Sequence, residues 1–259
     1  MIREVQGIIL MLVGIVILRL SWGTAYLDYV KESMRPWLLA SGAILVILGV
    51  LALVDALRRG GVSEAEAQRS DEEIVFDGVE GDHHHAHGGP RAAWLLVLPI
   101  LVVFVVAPPA LGAWAAARDT TNSVAAQQAL PPLPPGDPVP VFLSDYVTRA
   151  VWEQGVSLEG RTVELTGFAV STDDGGWQLA RMQIQCCAAD AFASKVQPVG
   201  LPPDFADVPE NTWLTVTGQW VPGDAAADGS PGATPSSSAI PLVQVGSIAV
   251  VPEPVNPYD

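Results

Sequence analysis

The sequence lacks most of the residues from which enzyme active sites are built. All four histidines fall between residues 83 and 87, so the C-terminal half, which holds both cysteines of the chain, has none. Without histidine, that half cannot form the Ser-His or Cys-His pair of a nucleophilic hydrolase. A glycine-rich loop of the phosphate-binding type is also missing. These absences indicate that the protein is not an enzyme.

Basic residues are scarce as well. The chain has 13 lysines and arginines against 28 acidic residues, which gives a formal net charge of −15. From Asp119 onward there are 16 acidic residues and only four basic ones, so the C-terminal half carries most of this charge. Such a surface repels nucleic acids and anionic lipid headgroups. We therefore expect no nucleic-acid partner.

Charged residues of either sign make up only 16% of the chain, whereas 49% of residues are hydrophobic. The hydrophobic residues are concentrated in three runs, which predict transmembrane helices at about residues 5–21, 37–57 and 92–114. Residues 1–118 are accordingly predicted to form the membrane region. No clear small-x-small cleavage site follows the first run, so a retained helix is favoured over a cleaved signal peptide.

The arginines predict how these helices are oriented. Arg58 and Arg59 follow the second run directly, and Arg69 and Arg91 lie in the same loop. Because basic loops stay in the cytoplasm, the loop 58–91 is predicted to be cytoplasmic. With three helices, the N-terminus is then inside and the C-terminal half is outside the membrane.

The cytoplasmic loop contains the histidine tract, whose members are His83, His84, His85 and His87. Neutral imidazole is a ligand for zinc, nickel, copper and cobalt. A histidine-rich tract on a glycine-flanked loop therefore predicts a weak, exchangeable metal site. The alternative is a solvated loop in which the histidines have no role.

The C-terminal half reads as a proline-rich spacer at 119–138 followed by a small β domain at 139–259. The spacer is predicted to be semi-rigid and extended, because proline fixes φ and removes backbone donors. In the domain, a short helix at 144–153, with Ser144 as its N-cap, precedes five strands. The strands are predicted at 162–171, 177–185, 196–201, 212–221 and 240–251.

Five short strands without a βαβ pattern predict an all-β barrel or sandwich. We expect an OB-like barrel, since an immunoglobulin-like sandwich usually has seven strands. The predicted fold is thus a membrane-anchored α region of three transmembrane helices followed by an extracytoplasmic OB-like small β-barrel.

The two cysteines are adjacent, at Cys186 and Cys187, where the second strand is predicted to end. Successive side chains of a strand point to opposite faces, so both thiols can hold one ion only if the chain turns there. A turn at 188–190 would bring Asp190 close and create an S,S,O cluster suited to zinc or another transition metal. A vicinal disulfide with a redox role and a purely structural pair are the alternatives.

Arg181 precedes the cysteines on the same predicted strand. Three roles are open to it: lowering a thiol pKa, lying on the surface, or pairing with Asp190.

These residues carry a family resemblance. The sequence resembles the YcgQ-like family of bacterial membrane proteins over nearly its whole length. An Arg-x-x-Ile-x-Cys-Cys-x-Ala-Asp element and a closing Pro-x-x-Pro-Tyr are matched by Arg181, Ile184, Cys186, Cys187, Ala189, Asp190, Pro254, Pro257 and Tyr258. The resemblance implies a permease subunit, paired with a polytopic YcgR-like permease in the bacterial cytoplasmic membrane. It does not supply the transported substrate.

We therefore expect an accessory subunit of a membrane permease complex that handles a transition metal such as zinc. The alternatives are an extracytoplasmic thiol-redox or sensing protein that uses the cysteine pair, and a purely structural partner of the permease.

Overall fold

The computed structural model describes residues 2–67, 109–119, 122, 130–224 and 239–259. The chain divides into two compact units. One comprises Met1–Tyr26 and Ser33–Pro108, and the other comprises Leu27–Glu32 and Pro109–Asp259. The short segment Leu27–Glu32 therefore belongs to the C-terminal unit, although it lies between two N-terminal helices in the sequence.

The first unit contains helices α1 (Ile2–Trp22) and α2 (Arg35–Ala67). The stretch Glu32–Arg58, most of which is α2, contains an 18-residue window with a mean hydropathy of 2.6 and is long and apolar enough to cross a membrane. The apolar part of α1, Gln6–Trp22, is shorter. The predicted first and second helices are thus present as helices, and α2 extends ten residues into the predicted loop.

Glycines allow α1 and α2 to pack closely. A Cβ added at Gly14 would lie 2.8 Å from the carbonyl oxygen of Gly42, and one added at Gly49 would lie 2.8 Å from that of Gly7. Small residues that let two backbones approach are typical of helix pairs in membranes.

Most of the predicted third helix, from residue 92 to residue 108, lies outside the described residues. Its predicted end at Trp114 is wrong, because residues 109–112 are not helical. The consecutive prolines at 108 and 109 account for this, since proline lacks an N–H donor and disfavours helical geometry at the preceding residue. Helix α3 (Ala113–Arg118) then packs against the β domain through the fully buried Ala113 and Ala116.

The C-terminal unit is a closed five-stranded β-barrel, which confirms the predicted small barrel. Its strands are β2 (Thr162–Ser171), β3 (Trp177–Gln183), β4 (Phe192–Val199), β5 (Trp213–Asp224) and β6 (Pro241–Val250). A two-residue strand β1 (Val139–Pro140) adds to β2. The order β2-β3-β4-β6-β5 closes through antiparallel pairing of β2 with β5, and the β4–β6 pair is parallel.

Two apolar clusters stabilise the barrel, and β2 contributes to both. Leu165 and Ala169 belong to the larger cluster, while Phe168 and Val170 belong to a second one that includes α3. This is why the strict alternation of burial along β2 gives way to four consecutive buried residues at its end. The apolar run 167–170 is thus explained by contacts on both faces of the strand.

Helix α4 (Leu143–Trp152) packs on the larger cluster through Tyr146 and Val147. Its predicted N-cap is wrong: the helix begins one residue earlier, after Phe142, and no side chain of that residue caps it. The backbone N–H of Ser144 instead donates to Oδ2 of Asp259, 3.2 Å away. A carboxylate from the other end of the domain therefore serves the first turn of α4.

The proline-rich segment is part of the domain, so the prediction of a separate spacer at 119–138 is wrong for its described residues. Arg149 donates to the carbonyl oxygen of Pro131 at 2.6 Å, and Arg161 donates to that of Pro134 at 2.8 Å. Leu133 packs against the larger apolar cluster. Arginine donors thus hold the carbonyl groups that proline leaves without a regular partner.

Candidate metal centre

The cysteines lie in the connection between β3 and β4. After β3, Ile184 is still buried, whereas Cys186 is exposed and Cys187 is half-buried. A 3₁₀ turn at Ala188–Asp190 follows at once. The turn predicted from the sequence is present, and it prevents the two thiols from pointing to opposite faces of a regular strand.

The carboxylate of Asp190 organises this connection. It accepts the backbone N–H of Gln185 at 2.7 Å, that of Cys186 at 2.9 Å and that of Cys187 at 3.3 Å. The backbone N–H of Asp190 in turn donates to the carbonyl oxygen of Cys187 at 3.0 Å. These hydrogen bonds within one turn explain why a carboxylate three residues after the second cysteine faces both cysteines.

The two thiols and the carboxylate converge. One ligand atom from each of Cys186, Cys187 and Asp190 lies within 4.8 Å of the other two, and the sulfur atoms are 3.6 Å apart. Among the described residues, this is the only such group of three or more histidine, cysteine or acidic side chains. The S,S,O cluster predicted from the sequence is therefore assembled by the fold.

Hydrogen bonding sets the charge state of the cluster. The hydrogen bond of Cys186 to Asp190, and a second to Cys187, raise the pKa of the Cys186 thiol to about 12. The same hydrogen bond and the donations from the backbone lower the pKa of Asp190 to about 2. The Cys186 thiol is thus kept protonated near neutral pH, unlike the low-pKa thiol of a redox enzyme.

The site lies within a recognisable domain. Residues 147–258 match the family model of the DUF1980 C-terminal domain. The match covers less than half of the chain and includes β2 to β6 with both cysteines and Asp190. Neither the curated proteins nor the solved structures gave a significant match.

Arg181 has none of its three predicted roles in this domain. It is 9% exposed, and its Nε lies 2.8 Å from Oδ1 of Asp259. It also donates to the carbonyl oxygen of Asn256 at 3.0 Å. The predictions of a surface position and of a pair with Asp190 are wrong, because burial directs the guanidinium to the chain end. The raised pKa of Cys186 is also the opposite of what a nearby arginine produces.

One neighbour of the cysteines was missed by sequence reasoning. Leu27–Glu32, hereafter the strap, belongs to the same compact unit as the β-barrel but lies more than 100 residues before the part that matches the family model. Val30 and Cys187 form an antiparallel β-bridge. The only sequence feature that indicates an extended segment there is the β-forming pair Tyr29-Val30 between two helical runs. This pair does not identify the partner strand.

The second predicted metal site, formed by the histidine tract, lies outside the described residues. His83, His84, His85 and His87 therefore remain a prediction from the sequence alone.

Proposed function

We propose that the DUF1980 C-terminal domain of this protein binds one transition-metal ion, preferably zinc, through Cys186, Cys187 and Asp190. The observation that carries this proposal is the convergence of two sulfurs and one carboxylate oxygen within 4.8 Å. Thiolate sulfur and carboxylate oxygen are both established zinc ligands. The exposure of Cys186 leaves a route for an ion to enter.

The distance between the sulfurs favours a tetrahedral ion. With Zn–S bonds of about 2.3 Å, two sulfurs 3.6 Å apart subtend an angle of about 103° at the metal. This is close to the tetrahedral angle that zinc adopts in proteins. The thiols are therefore spaced for zinc before any rearrangement of the chain.

The described residues offer three ligands at this site, so we propose that water or a partner takes the fourth position. Metal binding displaces the protons of both thiols, which makes the affinity rise with pH. A site with an open position suits an ion that is received and passed on, whereas a purely structural zinc site is closed by four protein ligands. This supports a role in handling metal rather than in holding the fold together.

We further propose that the chain is a multi-pass membrane protein with this domain on the extracytoplasmic side. The stretch Glu32–Arg58 is apolar and long enough to span a bilayer, and Arg58 and Arg59 lie at its end, as cytoplasmic anchors do. The strap connects α1 to α2 and belongs to the same compact unit as the domain. A connection between two spanning helices lies on one side of the membrane, so the domain must share that side.

The barrel itself is proposed to be OB-like. Its five strands close on one another with one parallel pair, β4–β6, and the remaining pairs antiparallel. This suits a five-stranded Greek-key barrel. In this protein, however, the acidic charge of the domain does not favour the nucleic-acid binding for which such barrels are often used.

The proposed physiological role is that of an accessory subunit of a permease complex. Its support is the resemblance of the sequence to the YcgQ-like family, which implies a polytopic YcgR-like permease as partner. Purification of the tagged chain from its native membranes, followed by mass spectrometry, tests this part. Recovery of that permease in stoichiometric amount is expected, and recovery of the chain with no polytopic protein would contradict it.

Elemental analysis of the purified full-length chain in detergent tests the metal site. The His83, His84, His85 and His87 to Ala variant serves as background, so that the histidine tract cannot contribute metal. We expect about one zinc per chain, lost in Cys186→Ser and in Cys187→Ser and retained in the matched control Asp173→Asn, whose carboxylate lies in a remote turn. Retention of zinc in both cysteine variants would refute the proposed site.

A second candidate, a thiol-redox role, is favoured by one observation. The two sulfurs are only 3.6 Å apart and one of the thiols is exposed. The high pKa of Cys186 argues against a catalytic redox role, in which the thiol must react rapidly as a thiolate. Counting free thiols on the same sample separates the two: a redox role predicts a reducible disulfide without bound metal.

A further inference from the structure

The strap is hydrogen-bonded to the backbone on both sides of Cys187. The N–H of Lys31 donates to the carbonyl oxygen of Cys186 at 3.1 Å, and the N–H of Ala188 donates to that of Tyr29 at 2.7 Å. With the bridge between Val30 and Cys187, these bonds make the strap a short additional strand on the metal-binding connection. The backbone that positions the thiols is therefore the backbone that holds the strap.

A second attachment of the strap does not involve the cysteines. The buried hydroxyl of Tyr258 donates to the carbonyl oxygen of Asp28 at 2.8 Å and accepts the N–H of Leu111 at 3.1 Å. Tyr258 is itself fixed next to β3, because it bridges Met182. The strap is thus attached both to the backbone beside Cys187 and, through Asp28, to Tyr258.

We propose that the Cys186–Cys187 pair controls the attachment of the strap: a bound zinc ion secures it, and oxidation of the pair to a vicinal disulfide releases it. This inference rests on the proposed metal site and adds its regulation. Because the strap is the connection between α1 and α2, the state of the thiols is transmitted to the segment that joins the two helices.

The sulfur spacing explains why a bound zinc ion secures the strap. Zinc accepts the sulfurs at 3.6 Å, since the angle at the metal is then near tetrahedral. The Cys186–Cys187 peptide keeps its orientation, and its carbonyl oxygen continues to accept the N–H of Lys31. Any opening that separates the thiols also loses the ion, so zinc opposes that opening.

The geometry of a disulfide explains why oxidation of the cysteine pair releases the strap. A disulfide requires an S–S distance of about 2.05 Å, so the sulfurs must approach by about 1.5 Å. Because the two residues share one peptide group, this approach rotates that peptide. Its carbonyl group accepts from Lys31 and its N–H donates to Asp190. Rotation therefore breaks the bond to the strap and the bond to the carboxylate together.

The oxidant that we infer is a low-molecular-weight disulfide. The two cysteine thiols lose two protons and two electrons and form one S–S bond. The small disulfide accepts both and is cleaved into two thiols. An oxidising outer compartment can supply such a reagent, and an excess of small thiol reverses the reaction.

Hydrogen exchange of the full-length chain in detergent, read by mass spectrometry on a peptide that covers the strap, tests the inference. Three states are compared: reduced with a chelator, reduced with zinc, and oxidised with glutathione disulfide. At zinc 100 times its Kd, we expect exchange at 29–31 to slow by up to about 100-fold. In the oxidised state, exchange of the Lys31 amide should accelerate to the rate of an amide without a hydrogen bond. A peptide from β5 serves as the internal control and should not change.

Lys31→Pro removes the bond to Cys186, because proline has no N–H to donate. In this variant the Ala188 amide, which donates to Tyr29, should exchange faster than in the original chain. Lys31→Ala is its matched control, since it removes the side chain but keeps the donor, and it should behave like the original chain. If zinc binds at one ion per chain and the exchange of the strap is unchanged, the inference fails while the metal site stands. If oxidation leaves the exchange unchanged, the inference fails as well. Absence of bound zinc would overturn both proposals.

Discussion

Arg181 and Asp259 form a buried ion pair that connects β3 with the chain end. Their Nε and Oδ1 atoms are 2.8 Å apart, and the side chain of Asp259 is only 2% exposed. The other carboxylate oxygen accepts the N–H of Ser144 in the first turn of α4. One carboxylate therefore neutralises a buried guanidinium and stabilises a helix start. The arginine of the Cys-Cys element is therefore a structural residue and not part of the proposed metal site.

Removal of one partner of this pair should destabilise the domain strongly. In Asp259→Asn the guanidinium of Arg181 stays buried without a counter-charge, and we expect a loss of about 3–5 kcal/mol in the free energy of unfolding. Denaturant unfolding followed by tryptophan fluorescence measures this loss. The double variant Arg181→Met/Asp259→Leu should recover part of it, and the exposed control Asp204→Asn should be neutral. A loss below about 1 kcal/mol in Asp259→Asn would show that the pair is dispensable.

Asp190 should suppress the reactivity of Cys186. Its hydrogen bond to the thiol is the largest cause of the raised pKa, so the thiolate fraction at pH 8 is small. In a Cys187→Ser background with chelator present, Asp190→Asn should speed alkylation of Cys186 by iodoacetamide at least ~10-fold, the effect of one pKa unit. The rate in the control Asp173→Asn should stay unchanged. Equal or slower alkylation in Asp190→Asn would contradict the assigned hydrogen bond.

Two glycines after α4 form a matched pair for a test of packing. Gly155 has a φ of +75° and an added Cβ would lie 2.4 Å from ring atoms of Trp220, whereas Gly160 has a φ of +67° and open space around it. Gly160→Ala should cost about 1 kcal/mol for the left-handed backbone. Gly155→Ala should cost a further 1–3 kcal/mol, roughly, for the clash with the ring. Thermal unfolding of both variants measures the difference, and equal melting temperatures would be evidence against the packing of Trp220 at this turn.

The structural features that depend on neighbouring residues were predicted best from the sequence. Alternation of β-branched and polar side chains identified β2 with both of its bounds, Thr162 and Ser171. The spacing of Cys186, Cys187 and Asp190 predicted the turn and the S,S,O cluster, because three residues of one turn come together wherever that turn forms. These features are local, so the chain pattern alone is sufficient to predict them.

Contacts between distant residues could not be predicted in this way. The bridge between Val30 and Cys187 joins segments more than 150 residues apart, and no local pattern selects one strand as the partner of the other. The N-cap assigned to Ser144 failed for the same reason, since its N–H binds a carboxylate 115 residues later. The prediction of a separate spacer failed because Arg149 and Arg161 donate hydrogen bonds to carbonyl groups of this segment. The proline content of the segment does not reveal these contacts.

X-ray absorption at the zinc edge, recorded on the metal-loaded full-length chain in the histidine-tract Ala background, tests the central claim most directly. The account predicts two sulfur neighbours at about 2.3 Å and oxygen neighbours at about 2.0–2.2 Å. The sulfur signal should disappear in Cys186→Ser/Cys187→Ser. Zinc surrounded only by nitrogen and oxygen, or failure of the chain to retain zinc, would contradict it.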